Sequence, residues 1–312
     1  MPVVSIVIPN YNGAEHLSVC LNSIKQQSYT NYEIIVVDNG STDESIALIN
    51  ARGIEVTVYR FSENKGFAAA VNYGIQNSQE KFIALLNNDI ELDSRWLEKL
   101  INAIESDSEL GSVACKMLNF FDRTIIDATG DVLTRAGNII GRGAGEKDHG
   151  QFDEKKYVFG VCAGAGIYRR EVFERVGLYD EDFFAWFEDA DHSFRSQITG
   201  YKCLYVPTAV CYHKRGATAK KMSAIAVRLH ARNHLYYLIK NIPVQIFWRN
   251  IFYISASRLR NWFTIVRYGD MRALLWAFYR ICVELPRLLK KRKLIQNSRT
   301  VSLSYLQSLF HQ

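Results

Sequence analysis

The sequence predicts an α/β fold: a mostly parallel sheet with helices on both faces, followed by a basic helical segment. Three observations predict it. Short β-rich apolar runs alternate with helical patterns through the first hundred residues. A β-α-β rhythm of this kind buries its strands as a largely parallel sheet. Polar clusters stand where the apolar runs end. The cationic residues crowd into the last third: residues 1–216 carry 21 Lys+Arg and 30 Asp+Glu, a net of −9, whereas 217–312 carry 17 Lys+Arg against Asp270 and Glu284 alone, a net of +15.

In chain order, Val3–Pro9 is β-rich, and Leu17, Leu21 and Ile24 then recur at helical spacing. Glu33–Val37 reads as a second strand, and Ser41-Thr42-Asp43-Glu44 as a capping box opening a helix through about Asn50. Glu55–Tyr59 predicts a strand, Phe67–Gln76 a helix and Phe82–Leu86 a strand, after which Asp93 or Ser94 caps a helix to about Ile104. Beyond Gly111, strand-like pieces lie near Val113–Met117, Ile125–Thr129 and Tyr157–Tyr168. The Gly-rich stretch Gly137–Gly150 reads as a flexible loop. Asp182–Thr199 contains a helix, Cys203–Val206 is a strand, and from Ala217 the pattern is mostly helical.

The 312 residues are 48% hydrophobic, enough for one large domain or for one domain plus an appendage. The six cysteines, Cys20, Cys115, Cys162, Cys203, Cys211 and Cys282, form no C-x-x-C pair, so buried reduced thiols are expected and a zinc or disulfide framework is not. The start Met1-Pro2-Val3-Val4-Ser5 lacks the marks of a secretion signal, and no run of about 18 uncharged apolar residues predicts a membrane span.

Ligands of open α/β sheets sit at the carboxyl ends of the strands. There the sequence places Pro9-Asn10-Tyr11-Asn12-Gly13, Asp38-Asn39-Gly40-Ser41-Thr42-Asp43, Asn64-Lys65-Gly66-Phe67 and Asn87-Asn88-Asp89. Each alone is ordinary turn or cap chemistry; four together predict one crevice. Asp38 directly follows the apolar run Ile34–Val37, where a nucleobase and ribose need an acceptor, and Tyr11 offers a ring for stacking. No G-x-G-x-x-G follows the first strand and no G-x-x-x-x-G-K-[ST] occurs, which disfavours a dinucleotide dehydrogenase and a P-loop ATPase. Asn88-Asp89 suits Mg²⁺ or Mn²⁺, hard cations held by one or two carboxylates plus substrate phosphates. The acids Glu188, Asp189 and Asp191 stand beside Phe183, Phe184, Trp186 and Phe187. Three acids in four residues exceed what helix capping needs, and a carboxylate among rings is a reasonable general base. His213 follows a β-type run and could ligate a metal, although a lone His is more often structural.

Over roughly residues 3–217 these segments, with Gly164-Ala165-Gly166, Val176-Gly177-Leu178-Tyr179-Asp180-Glu181, Trp186-Phe187-Glu188-Asp189-Ala190-Asp191, Gly200-Tyr201, Pro207 and His213, resemble the family-2 glycosyltransferases, especially the bacterial rhamnosyltransferase-like group. The resemblance implies a GT-A fold at 1–216, with a nucleotide-sugar half at about 1–110 and an acceptor half at about 111–216. Residues 217–312 are then a basic, aromatic-rich helical extension. It implies that Pro9, Tyr11 and Asp38 hold the base and ribose, with Asn10, Asn12, Asn64, Lys65, Gly66 and Asn88 lining the nucleotide-sugar site. Asp89 and His213 become the metal residues. Asp189 becomes the catalytic base, with Glu188 and Asp191 beside it orienting the acceptor or capping the helix. The usual Asp-x-Asp appears here as Asn87-Asn88-Asp89, leaving Asp89 as the one anionic ligand.

The implied reaction is an inverting, metal-dependent transfer from a nucleoside-diphosphate sugar, dTDP-rhamnose or a UDP-sugar first. Its acceptor would be a hydroxyl of a glycan or a polyprenyl-diphosphate-linked saccharide in surface polysaccharide synthesis. A non-catalytic sugar-nucleotide-binding module and a nucleotidyltransferase are the alternatives. The second usually has a basic Gly-rich loop after the first strand, which Asn10-Tyr11-Asn12-Gly13 is not. The basic, aromatic extension is expected on an anionic membrane surface, the protein being cytoplasmic and peripheral on the inner face of the cell membrane. No motif points to nucleic acid, and oligomeric state is not legible.

Overall fold

The computed structural model describes residues 3–50, 55–162, 164–214, 224–267 and 271–311. The expected boundary at 216/217 and the expected helix start at Ala217 lie outside the described residues. The first half runs β1 (Val4–Asn10), α1 (Ala14–Lys25), β2 (Tyr32–Asp38), α2 (Ser45–Asn50), β3 (Thr57–Arg60), α3 (Phe67–Gln76), β4 (Phe82–Leu86), β5 (Ile90–Leu92) and α4 (Trp96–Glu105). The second continues with β6 (Leu110–Asn119), β7 (Ile126–Ala128), β8 (Asp131–Thr134), β9 (Ile139–Gly141), β10 (Lys156–Val158), β11 (Ala165–Arg169), α5 (Arg170–Val176), a 3₁₀ turn at Glu181–Phe183, α6 (Glu188–Ile198) and β12 (Lys202–His213). The helices α7 (Ala224–Asn241), α8 (Val244–Arg267), α9 (Met271–Asn297) and α10 (Leu303–Ser308) follow, and β13 (Phe310–His311) ends the described chain.

The main sheet has the order β10-β12-β6-β11-β4-β1-β2-β3. β1, β2, β3 and β4 are mutually parallel where they pair, and β12 is parallel to β6. β11 enters antiparallel between β4 and β6. The fold is therefore the α/β GT-A architecture, with an antiparallel strand in its second half. Alternate residues of one strand serve opposite faces: Ile6, Ile8, Phe82 and Ala84 join Leu17, Leu21, Trp96 and Leu100 of α1 and α4, whereas Val7, Ile83 and Leu85 join Val71 and Ile75 of α3. Strands buried on both sides read as continuous apolar runs, the pattern that marks them in the sequence.

Four local expectations need correction. The capping box at Ser41 does not form. α2 begins at Ser45, whose N–H donates to Asp43 Oδ1 at 3.1 Å, while Ser41 Oγ accepts from Asn12 N at 2.9 Å. The stretch expected as a loop at 137–150 contains β9, antiparallel to β8. The piece expected over Tyr157–Tyr168 is two strands, β10 and β11, in different parts of the sheet. The strand expected at Cys203–Val206 runs on to His213. Among the described residues every cysteine is a free thiol; Cys282 is exposed and Cys162 half-buried, the other four being buried.

The basic segment is no loose appendage. Tyr236, Tyr237, Ile242, Ile246, Leu288 and Ile295 share one apolar cluster with Phe159, Phe183, Phe194 and Ile198, and β13 extends the small sheet at β8.

Candidate active site

Sheet order reverses at β1, with β2 on one side and β4 on the other, which opens a crevice at the carboxyl ends. A chain of polar side chains spans it. Asn88 Nδ2 donates to Asn10 Oδ1 at 2.8 Å, Asn10 Nδ2 donates to Asp38 Oδ1 at 3.2 Å, and Arg60 Nε stands 3.5 Å from Asp38 Oδ2. Asn10 and Asp38 are buried, and Asp38 Oδ2 accepts no hydrogen bond among the described residues. A side chain at Gly13 would collide with this chain, its Cβ 2.1 Å from Asn88 Nδ2. Position 88 has to donate to Asn10, which a carboxylate cannot do; this gives Asn88 a physical reason.

Pro9 is half-buried, whereas Tyr11 and Asn12 are exposed beyond it. Asn12 is pinned at both ends, its N–H to Ser41 Oγ and its Oδ1 to Thr42 N at 2.9 Å. Asn39 orders the next loop: its Oδ1 accepts from Lys65 N at 2.8 Å, and its amide donates to Asn64 Oδ1 and Gly66 O at 3.0 Å. Lys65 is exposed, its ammonium 4.9 Å from the Phe61 ring centre. Gly66 has φ +95°, and a Cβ there would fall 2.5 Å from Phe184 O, so only glycine fits.

The antiparallel pairing of β12 with β5 sets His213 opposite Ile90, next to Asp89. His213 Nε2 is 3.4 Å from Asp89 Oδ2, and its Nδ1 is 2.5 Å from Asp127 Oδ2. Burial opposes the imidazolium, but the bonds to Asp127 and Asp89 outweigh it and hold the pKa up at about 9. Asp127 is a site residue that the sequence reading missed. Its signal was a carboxylate inside the β-type piece Ile125–Thr129. Asp89 Oδ1 and Asn87 Oδ1 are buried acceptors with no hydrogen-bond partner among the described residues. No group of three His, Cys, Asp or Glu able to hold a metal occurs among the described residues. A divalent ion fits here only as one held by Asp89 and His213 and completed by substrate oxygens, the usual habit of Mg²⁺.

The three acids of α6 fall into different surroundings. Asp189 is half-exposed at the first turn, where the helix dipole favours a carboxylate. Glu188 is buried, and burial together with the Asp189 charge pushes its pKa well up. Asp191 is fully buried, 2.9 Å from Arg195 Nε and 2.8 Å from Lys240 Nζ, and accepts from Asn241 Nδ2 at 2.8 Å. Burial opposes its charge, but Lys240 and Arg195 prevail and hold its carboxyl below the usual range. Asp191 therefore ties α6 to α7 through Lys240 and Asn241. Asp131, also unforeseen, is raised by burial and by Asp189. The Cys162 thiol is pushed up by burial and by the charges of Asp131, Asp189 and Asp127.

A family model described as Glycosyl transferase family 2 matches residues 5–177. An uncharacterised glycosyltransferase of Rickettsia prowazekii is 38% identical over 103 residues, which is 33% of this chain and 32% of the relative. The O-antigen biosynthesis protein RfbC of Myxococcus xanthus is 25% identical over 232 residues, 70% of this chain and 18% of the relative. The chain thus spans about a third or less of these two relatives. Among solved structures, the mannosyltransferase PcManGT from Pyrobaculum calidifontis, in complex with GDP-Man and Mn²⁺, superposes with a TM-score of 0.56 at 16% identity. That match covers 95% of this chain and 86% of the other.

Proposed function

The chain belongs to glycosyl transferase family 2, and from that membership we propose that it transfers a sugar from a nucleoside diphosphate to an acceptor hydroxyl with inversion. The observation that carries this reading is the polar chain Asn88–Asn10–Asp38 at the strand ends, beside the Asp89–His213 pair, with the segment leading into α6 tied back to α3 through Phe184 O and Ala68 N. Asp38 accepts from the base, whose ring stacks on Tyr11, while Asn10, Asn88 and Asn12 hold the strand ends in register around it. Pro9, Asn64, Lys65 and Gly66 line the donor, Gly66 also giving Phe184 the room to pack against this loop. Asp89 and His213 would hold the divalent ion, Mg²⁺ or Mn²⁺, which when bound supplies positive charge for the departing diphosphate. Asp127 fixes the ring of His213 through Nδ1, the usual partner arrangement of a ligating histidine.

Asp189 takes the proton of the acceptor hydroxyl as that oxygen bonds to the anomeric carbon and the carbon–diphosphate bond breaks on the opposite face. One displacement inverts the centre, as with water in inverting glycosidases. Glu188 and Asp131, held towards their neutral forms beside it, leave Asp189 as the base and can donate to an acceptor oxygen. Asp38 Oδ2, which faces Arg60 but accepts no hydrogen bond among the described residues, suits an N–H of a pyrimidine or guanine, and the likeness to an O-antigen biosynthesis protein supports a glycan acceptor in envelope polysaccharide synthesis. A UDP- or dTDP-sugar, dTDP-rhamnose among them, remains the first donor to test.

Residues 1–216 form the catalytic domain in this reading, and the extension places it on an anionic membrane at the cytoplasmic face. No helix among the described residues is long and apolar enough to cross a membrane. α8 and α9 nevertheless turn an apolar stripe outward, with Trp248 65%, Phe252 77% and Phe263 67% exposed, and Leu259, Leu275 and Leu289 in line. Arg249, Arg260, Arg267 and Arg272 stand exposed beside it. Glu284 is buried in ion pairs with Arg280 and Arg287. That mixture is what interfacial helices carry. Not every basic or aromatic residue of the extension contributes. Arg258 is buried, Trp262 and Trp276 pack against α7 and α9, and of Lys290-Lys291-Arg292-Lys293 only Lys290 and Lys293 face outward.

The decisive experiment screens sugar nucleotides with Mg²⁺, Mn²⁺ or EDTA and scores nucleoside diphosphate release. Release from one donor, dependent on the ion, is expected. Binding without turnover for every donor would make the protein a binding module, and pyrophosphate release from a nucleoside triphosphate would make it a nucleotidyltransferase.

A further inference from the structure

The backbone just before the base-bearing helix is bent in a way that bulky side chains resist. Phe184 has φ 65° and ψ −62°, and Ala185 N donates to Phe183 O at 2.8 Å, which is the rare and strained form of the γ-turn. Trp186 at φ 66° and Phe187 at φ 74° are left-handed as well. Three non-glycine residues of four in such conformations persist only where the surroundings over-determine them. Beside the ring contacts of Trp186 and Phe187 with His230 and His234, two neighbouring side chains of α7 hold the carbonyls of this segment. Asn233, fully buried, directs its amide nitrogen at three carbonyl oxygens: Phe183 O at 2.9 Å, Ala185 O at 2.8 Å and Trp186 O at 2.8 Å. Arg232 Nη2 donates to Asp182 O at 2.7 Å and Phe183 O at 3.1 Å.

The bent segment touches both halves of the site. Phe184 O accepts from Ala68 N at 3.3 Å and lies against Gly66, while Asp189 follows Phe187 by two residues. We infer that Asn233 is a positioning residue for the transfer: by holding the strained carbonyls of 183–186 it sets where Asp189 stands relative to the donor loop. This rests on the reading of Asp189 as the base. It gives α7, which lies beyond the family match, a part in the chemistry.

The test compares Asn233→Ala and Asn233→Ser with wild type and with Asp189→Asn. It measures kcat and KM for the donor, the binding stoichiometry and Kd for UDP, dTDP and GDP, and the thermal midpoint. A drop in kcat of at least thirtyfold is expected in Asn233→Ala, with full nucleotide-binding stoichiometry and Kd within threefold, because the ends of β1 and β2 that carry Asn10 and Asp38 are untouched. Asn233→Ser, which can reach one carbonyl, should fall between. A kcat within threefold of wild type in folded Asn233→Ala overturns the inference. So does a kcat that falls only in step with binding stoichiometry, or a failure of both variants to fold, since either makes Asn233 a folding element. If Asp189→Asn keeps wild-type turnover, the reading of the base fails instead.

Discussion

At the scale of single residues, the three carboxyls of α6 sit in different surroundings, and the proposed roles can be tested one by one. Asp189→Asn keeps the shape of the side chain and removes its basicity, so kcat should fall by about 10²–10⁴; turnover within threefold would remove Asp189 from the mechanism. Glu188 makes the complementary prediction. Its folded pKa is raised above the unfolded value by burial and by Asp189, so the folded state binds more protons and stability falls as pH rises through that interval. Glu188→Gln should therefore raise the thermal midpoint at neutral pH and change it little below pH ~4. An equal change at both pH values would refute the linkage. EDTA should abolish turnover, Mg²⁺ or Mn²⁺ should restore it, and Asp89→Ala should lose more than His213→Ala; full activity of Asp89→Ala in EDTA would dismiss the ion. The residues nearest the strand ends were legible in the sequence, because an apolar run interrupted by Asp or Asn is conspicuous. Asp127 and Asp131 were not, since they arrive from β7 and from β8 of the small sheet; a carboxylate inside a β-type piece marks Asp127, but its partner His213 lies 86 residues on and nothing local names it.

At the scale of elements, the runs that bury both faces announced β1, β2 and β4, and α3 and β4 fall at their expected bounds. The second half was harder. Its strands are three to five residues long at β7, β8, β9, β10 and β11, and so short a stretch is defined by its neighbour more than by its own composition. The charge pattern of α6 does not tell its acids apart in sequence; the packing of α7 does, since Asp191 pairs with Lys240 and Asn241. Asp191→Asn would leave Lys240 buried with weakened pairing, and losses on breaking such pairs run to about 3–5 kcal/mol. We expect a clear fall in denaturation midpoint while the Kd for nucleoside diphosphate in the folded fraction is unchanged. A variant as stable as wild type would show that Asp180, Lys240's other carboxylate partner, suffices. Because the folded pKa of Asp191 is depressed, its contribution is present above the ordinary carboxylate value and is lost as pH falls through the folded value.

At the scale of the whole molecule, the sign of charge divides the chain, and the sequence showed this division plainly. It could not show that the basic segment shares a core with Phe159, Phe183, Phe194 and Ile198, because inward and outward apolar positions of α7 and α9 read alike in sequence. A liposome flotation series tests the outward face. Recovery with vesicles should rise with anionic lipid, fall with salt, and drop on substituting Trp248, Phe252 and Phe263 with Ser, which leaves the buried cluster intact. Equal recovery with neutral and anionic vesicles at low salt would leave the stripe without a lipid partner. The closure of the small sheet has a consequence for biogenesis. β8 pairs with β9 almost at once and Asp131 on its other edge bonds to Phe159 and Gly160, but Leu133 and Thr134 on that edge wait for Phe310 and His311, roughly 180 residues later. At ordinary synthesis rates that edge stands open for on the order of ten to forty seconds, with its N–H and C=O groups available to any passing strand. Newborn chains should therefore be most prone to mispairing, and most in need of a holding chaperone, in the interval before the ribosome reaches β13.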